Sequence, residues 1–128
     1  ILDAADANNY ASMLVATKTP THIIEVVGDG TAANKSDQVI PNQTANMPLG
    51  GTEPLAKLLG AKSIPATAGG YAVDGTVIAR FNAGDHSSIL SPTASAAATT
   101  EMQTQAVSFF LTRGAGLQVT NAAVIKGQ

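Results

Sequence analysis

A chain of 128 residues is the size of one domain and can bury a modest core, and none of its apolar runs approaches the ~20 residues needed to cross a bilayer, so no transmembrane segment is expected. Charged residues make up only 12% and the net charge is -2, which removes the electrostatic basis for general nucleic-acid binding and excludes nucleic acid as a partner. The absence of cysteine excludes disulfides, thiolate metal sites and a cysteine nucleophile.

The chain starts at Ile1 with no basic, apolar leader and no small-residue cleavage site, so it is expected to begin after processing or cleavage. Asp6 can cap a first helix whose apolar side is Ala7, Tyr10, Ala11, Met13 and Leu14, closed by Pro20. The run from His22 to Val27 is short, β-branched and mostly apolar, as a strand buried on both faces would be. From Gly28 to Gly51 the sequence is rich in Gly, Asn, Thr, Pro and Asp, and an irregular connection of that length inside a compact domain is usually functional.

Thr52 can cap a short helix with Pro54 in its first turn, Leu55, Leu58 and Leu59 inward, and Gly60 as its stop. Asp74-Gly75, between Tyr71–Val73 and Thr76–Phe81, predicts a two-residue hairpin, or at least a tight turn that launches a strand. The loop Asn82 to Ser88 then presents His86 at a strand's carboxyl end. Ser95 to Thr100 reads as a loop running into a helix, for which Thr100 and Gln103 have capping-box spacing. That helix has Met102, Ala106, Phe109 and Phe110 as its buried stripe, Arg113 in its last turn and Gly114 as stop, and the tail from Leu117 to Lys126 adds a weak strand pair or covers an edge.

Helix, apolar strand, long polar loop, helix, strand, short loop and helix is the alternation of an α/β protein with a mainly parallel sheet, in one domain or one piece of a domain over residues 1–128. Ligand sites in such sheets lie beyond the strands' carboxyl ends, which puts the acidic loop and the histidine loop on one rim.

Asp37-Gln38-Val39-Ile40-Pro41 resembles the Asp-x-Val-(Val/Ile)-Pro segment after the seventh strand of many α/β-hydrolases. Gly84-Asp85-His86-Ser87-Ser88 resembles the loop after their eighth strand, and acid, histidine and final helix follow in that superfamily's order. The likeness runs from about His22 to about Arg113 and is nearest to secreted or surface-exposed lipases of Gram-negative bacteria.

That resemblance implies that Asp37 orients His86 in carboxylic-ester hydrolysis through an acyl-enzyme. Lipids such as acylglycerols or lysophospholipids would be the substrates, with no cofactor and an extracellular or cell-surface location. No Gly-x-Ser-x-Gly and no Gly-rich oxyanion loop occur, so the nucleophile is expected upstream of Ile1, on an N-terminal segment of the same protein. The chain would then be the C-terminal portion of an α/β-hydrolase fold, its last two core strands with flanking helices, inert alone and with one strand edge open.

Asp29 competes with Asp37 as the acid, since it follows the same strand more closely, and is otherwise a turn former with Gly30. His22 is assigned a structural role, Asp85 reads as a loop carboxylate and Asp74 as a turn residue. Ser63, Ser87 and Ser88 lack a strand-to-helix elbow between glycines. The acidic loop lacks the calcium-loop pattern, two distant histidines make a poor zinc site, and Asn34-Lys35-Ser36 and Asn42-Gln43-Thr44 match the glycosylation acceptor pattern. Two other readings stay open: amide or thioester hydrolysis on the same scaffold, and a non-catalytic surface or adhesion module of an exported protein, suggested by the Ala, Thr and Asn content.

Overall fold

The computed structural model describes residues 7–37, 39–40, 42, 50–67, 71–87, 89 and 95–127. A 3-10 turn, Ala7–Tyr10, leads into α1 (Ala11–Ala16), and β1 is His22–Val26. Helix α2 (Thr52–Leu59), β2 (Lys62–Ser63), β3 (Tyr71–Val73) and β4 (Val77–Phe81) follow, then α3 (Ala96–Thr112), β5 (Leu117–Val119) and a closing 3-10 turn, Ala122–Val124. The fold is mixed α/β: three parallel strands in the order β1-β4-β2, and a second, antiparallel pair β3-β5.

Side chains alternate across β4 and β1, as a pleated strand requires. Val77, Ala79 and Phe81 join Val26, Met102, Leu117 and Ile125 in the main core, with Ile24 and Phe109 packed against it, on the side of α3 and β5. Ile78 and Ile23 face the other way and pack with Ala56, Leu55 and Leu59 of α2. Helices on both faces therefore make β1 and β4 largely inaccessible, which accounts for their near-continuous apolar sequence. The carboxylate of Glu101, fully buried in α3, accepts hydrogen bonds from the Thr120 and Asn121 amides and the Thr120 hydroxyl, and so ties the tail to the helix.

Several local expectations are corrected. Asp74-Gly75 is a turn that launches β4 but not a hairpin, because β3 finds its partner in β5 and the Gly75 amide bonds to the Gly114 carbonyl. Helix α3 begins at Ala96 with the Ser95 hydroxyl accepting from the Ala98 amide, so the small residues before Thr100 are its first turn and the capping-box pair is internal. Phe110 is 79% exposed, as are Met13 and Leu58 to more than half, so the apolar stripes expected on α1, α2 and α3 only partly face inward. Asp6 lies outside the described residues, and a two-residue strand, β2, joins the parallel sheet that was expected to have two core strands.

The register fixes which main-chain groups of β1 meet β4. Thr21 accepts from the Val77 amide and Val27 donates to the Phe81 carbonyl, so odd-numbered residues turn toward β4. His22, Ile24 and Val26 turn to the opposite edge, where no strand pairs with them among the described residues. Among those residues, no helix is long and apolar enough to cross a membrane.

Candidate active site

Both loops expected to carry chemistry leave the carboxyl end of the parallel sheet, Gly28 onward from β1 and Asn82 onward from β4. The first is shaped by its own polar groups. The Asp29 carboxylate accepts from the Thr31 amide, the Thr31 hydroxyl and the Asn34 side-chain amide. The Thr31 hydroxyl and amide, with Asn34, hold Asp29 down to about 2. Asp29 is therefore committed to its loop, and the carboxylate that reaches His86 is that of Asp37.

The Asp37 amide donates to the Val26 carbonyl at 2.9 Å, which returns the loop to the end of β1. Its Oδ1 accepts from the Val39 and Ile40 amides at 2.7 and 2.9 Å, and its Oδ2 lies 3.0 Å from His86 Nδ1. Burial pushes this carboxyl up, but the Ile40 and Val39 amides and His86 together outweigh it and hold Asp37 below the ordinary carboxylate value. An ionised Oδ2 accepts a proton-bearing nitrogen, so the pair favours the neutral tautomer with hydrogen on Nδ1 and a lone pair on Nε2. Nε2 has no hydrogen-bond partner among the described residues, and the His86 side chain is 40% exposed.

A cleft of about 220 Å³ adjoins the pair, lined by Ile24, Glu25 and Val26 of β1, Thr52 of α2, Met102 of α3, and Asp37, Ile40, Asn42, Asp85, His86 and Ile89. Three consecutive β1 residues line this cleft, so it reaches both faces of the strand near its carboxyl end. The volume is below the ~300–1,000 Å³ of typical small-molecule sites.

Glu25, which the apolar reading of the first strand passed over, is only 1% exposed beside this cleft. Its Oε1 accepts the Thr52 hydroxyl at 2.6 Å, while Oε2 lies 3.4 Å from Arg80 Nε without a hydrogen bond. Arg80 instead makes a two-pronged contact with Glu53 at 2.6 and 2.8 Å and reaches the Ser63 hydroxyl at 2.7 Å. Burial pushes the Glu25 carboxyl up to about 7, assisted by Glu53 and opposed by the Thr52 hydroxyl and Arg80.

A raised carboxyl favours folding when protonated, so this contribution is complete at acid pH and is lost as pH rises from the unfolded value toward about 7. The wild-type chain is expected to lose on the order of 2 kcal/mol between about pH 5 and about pH 8 from this group. Glu25→Gln should remove that dependence, and urea unfolding of both proteins at the two pH values measures it. Parallel slopes in the two proteins would contradict it.

The remaining candidates are structural in their contacts. His22 stacks on Phe109 with ring centroids 5.5 Å apart and bonds Gln105 through Nε2; burial lowers its imidazole against the pull of Gln105. Asp85 accepts from the Ser87 amide, Asp74 forms an exposed 3.5 Å ion pair with Lys62, and Ser63 serves Arg80. Gln38, Pro41, Gln43, Thr44 and Ser88 lie outside the described residues. No cluster of three or more potential metal ligands occurs among the described residues. Comparison with protein families, with curated proteins and with solved structures finds no match.

Proposed function

We propose that this chain supplies the acid and the histidine of a serine-dependent carboxylic-ester hydrolase, as the C-terminal portion of an α/β-hydrolase fold. The observation that carries the reading is the 3.0 Å contact between Asp37 Oδ2 and His86 Nδ1 at the sheet's carboxyl rim. Two residues 49 positions apart meet there, with the other oxygen of the acid already filled by amides and the other nitrogen of the base without a partner among the described residues.

In the reaction, Nε2 takes the serine proton as the hydroxyl attacks the ester carbonyl and returns it to the departing alcohol. Asp37 keeps the lone pair on Nε2 and stabilises the imidazolium without taking its proton. The serine and the oxyanion donors come from a segment of the same protein outside residues 1–128, which also closes the cleft and pairs with the open edge of β1. The apolar side chains of Ile24, Val26, Ile40, Ile89 and Met102 along the cleft suit an acyl group, favouring lipid esters as the substrate class.

The test compares the longer protein with this chain alone, using chromogenic esters of several acyl lengths and a fluorophosphonate probe. Hydrolysis and serine labelling are expected only in the longer protein, at a serine outside residues 1–128. Ester turnover by the isolated chain would place the nucleophile among its own residues and overturn the proposal.

A further inference from the structure

We propose that Asn42 is a positioning residue for Asp37, an inference that rests on the reading of Asp37 and His86 as a catalytic pair. The Val26 carbonyl, in a residue only 3% exposed, accepts two hydrogen bonds of 2.9 Å, one from the Asp37 amide and one from Asn42 Nδ2. The main-chain oxygen of Asn42 accepts the Glu53 amide at 3.0 Å, in the first turn of α2. One residue thereby joins the end of β1 to the start of α2, across the segment that bears the acid.

Packing holds Val39 and Ile40 only in part. Val39 is 66% and Ile40 46% exposed, and the turn they form is closed chiefly by the Asp37 carboxylate itself through Oδ1. A turn closed by the very group it must orient is free to move as a unit, carrying Oδ2 away from Nδ1. Asn42 ties down the far arm of this unit, while the Asp37 amide ties the near arm to the same carbonyl. Without the Asn42 side-chain donor the turn keeps its main-chain tie to α2 but loses one of its two anchors on the Val26 carbonyl, and a carboxylate displaced by ~1 Å is enough to cost a catalytic pair one to two orders of magnitude.

The chemical consequence falls on the imidazole. Once Oδ2 no longer faces Nδ1, hydrogen on Nδ1 loses its acceptor and the tautomer bearing hydrogen on Nε2 becomes populated. That tautomer cannot accept the serine proton. Asn42 touches neither reacting atom, so it acts only through Asp37.

The experiment is heteronuclear NMR of the 15N-labelled 128-residue chain at a pH where imidazole is neutral, reading the two ring nitrogens of His86. The wild type should show a protonated Nδ1 and an unprotonated Nε2. In Asn42→Ala the two resonances should move toward each other as the tautomers mix, and Asn42→Asp, which keeps the shape but loses the donor, should behave the same way. In the longer protein kcat should fall about ten- to a hundred-fold at unchanged KM.

A merely structural residue would alter stability and leave the His86 nitrogens of the folded protein unmoved, and that result would overturn the proposal. Should Asn42→Ala unfold, Asn42→Ser keeps a polar side chain too short to reach Val26 and carries the same expectation and the same contrary outcome. A wild-type spectrum with hydrogen on Nε2 would instead overturn the catalytic reading of the pair, so the two failures are told apart by which sample shows them.

Discussion

His86→Ala is expected to lower kcat/KM for ester hydrolysis by about four to six orders of magnitude in the longer protein, with little effect on folding. The size follows from the proposed role: the imidazole would be the base, His86 lines the cleft with no partner on Nε2 among the described residues, and its side chain is 40% exposed, so its removal leaves no buried void. Asp37→Asn should cost about four orders of magnitude at nearly unchanged geometry, because a side-chain amide turned to donate to Nδ1 stabilises the wrong tautomer. Steady-state kinetics with a soluble chromogenic ester, alongside the thermal midpoints of each variant, measures both effects. The double variant should be hardly worse than His86→Ala, since the two residues act as one unit. Wild-type turnover in His86→Ala would remove the pair from the mechanism.

The largest structural effect is expected at Gly28. Its φ of +68° is already in the region that L residues rarely adopt, and a Cβ added there would sit 2.2 Å from the Asn34 carbonyl oxygen. That oxygen accepts the Asp29 amide, and the Gly28 carbonyl in turn accepts Lys126 Nζ at 3.0 Å, so neither neighbour is free to withdraw. Gly28→Ala should therefore lower stability by about 2–4 kcal/mol, combining backbone strain with forced displacement of the loop. The same displacement should pull Asp37 from His86. Urea unfolding gives the first quantity, and the ring nitrogens of His86 report the second. A variant as stable as wild type would show that the loop can be rearranged at little cost.

The meeting of Asp37 and His86 was legible in the sequence because each follows a strand whose apolar run is unmistakable, His22 to Val27 and Thr76 to Phe81, and chain order then puts both loops on one rim. What holds them was not. Glu25 sits in the middle of that first run, and a single charge among aliphatics does not reveal its partners Thr52 and Arg80. Asn42 resembled any loop asparagine, because a contact to Val26 across 16 residues leaves no local trace. The hairpin expected at Asp74-Gly75 failed for a related reason: turn chemistry is local, and β5, more than 40 residues downstream, competes successfully for β3. Helix faces were misjudged where apolar side chains such as Met13, Leu58 and Phe110 point outward, since periodicity names a stripe without naming what lies against it.

Strand β4, which delivers the histidine, lies between β1 and β2, and its pairing with β1 joins residues such as His22 and Val77. Parallel neighbours so distant along the chain can assemble only after a large loop has closed, an entropic toll that slows such topologies relative to hairpins. The carboxylate and the imidazole therefore stay apart throughout the early stages of folding. A polypeptide emerging unfinished carries no matched pair, and the contact between Asp37 and His86 arrives together with the completed sheet.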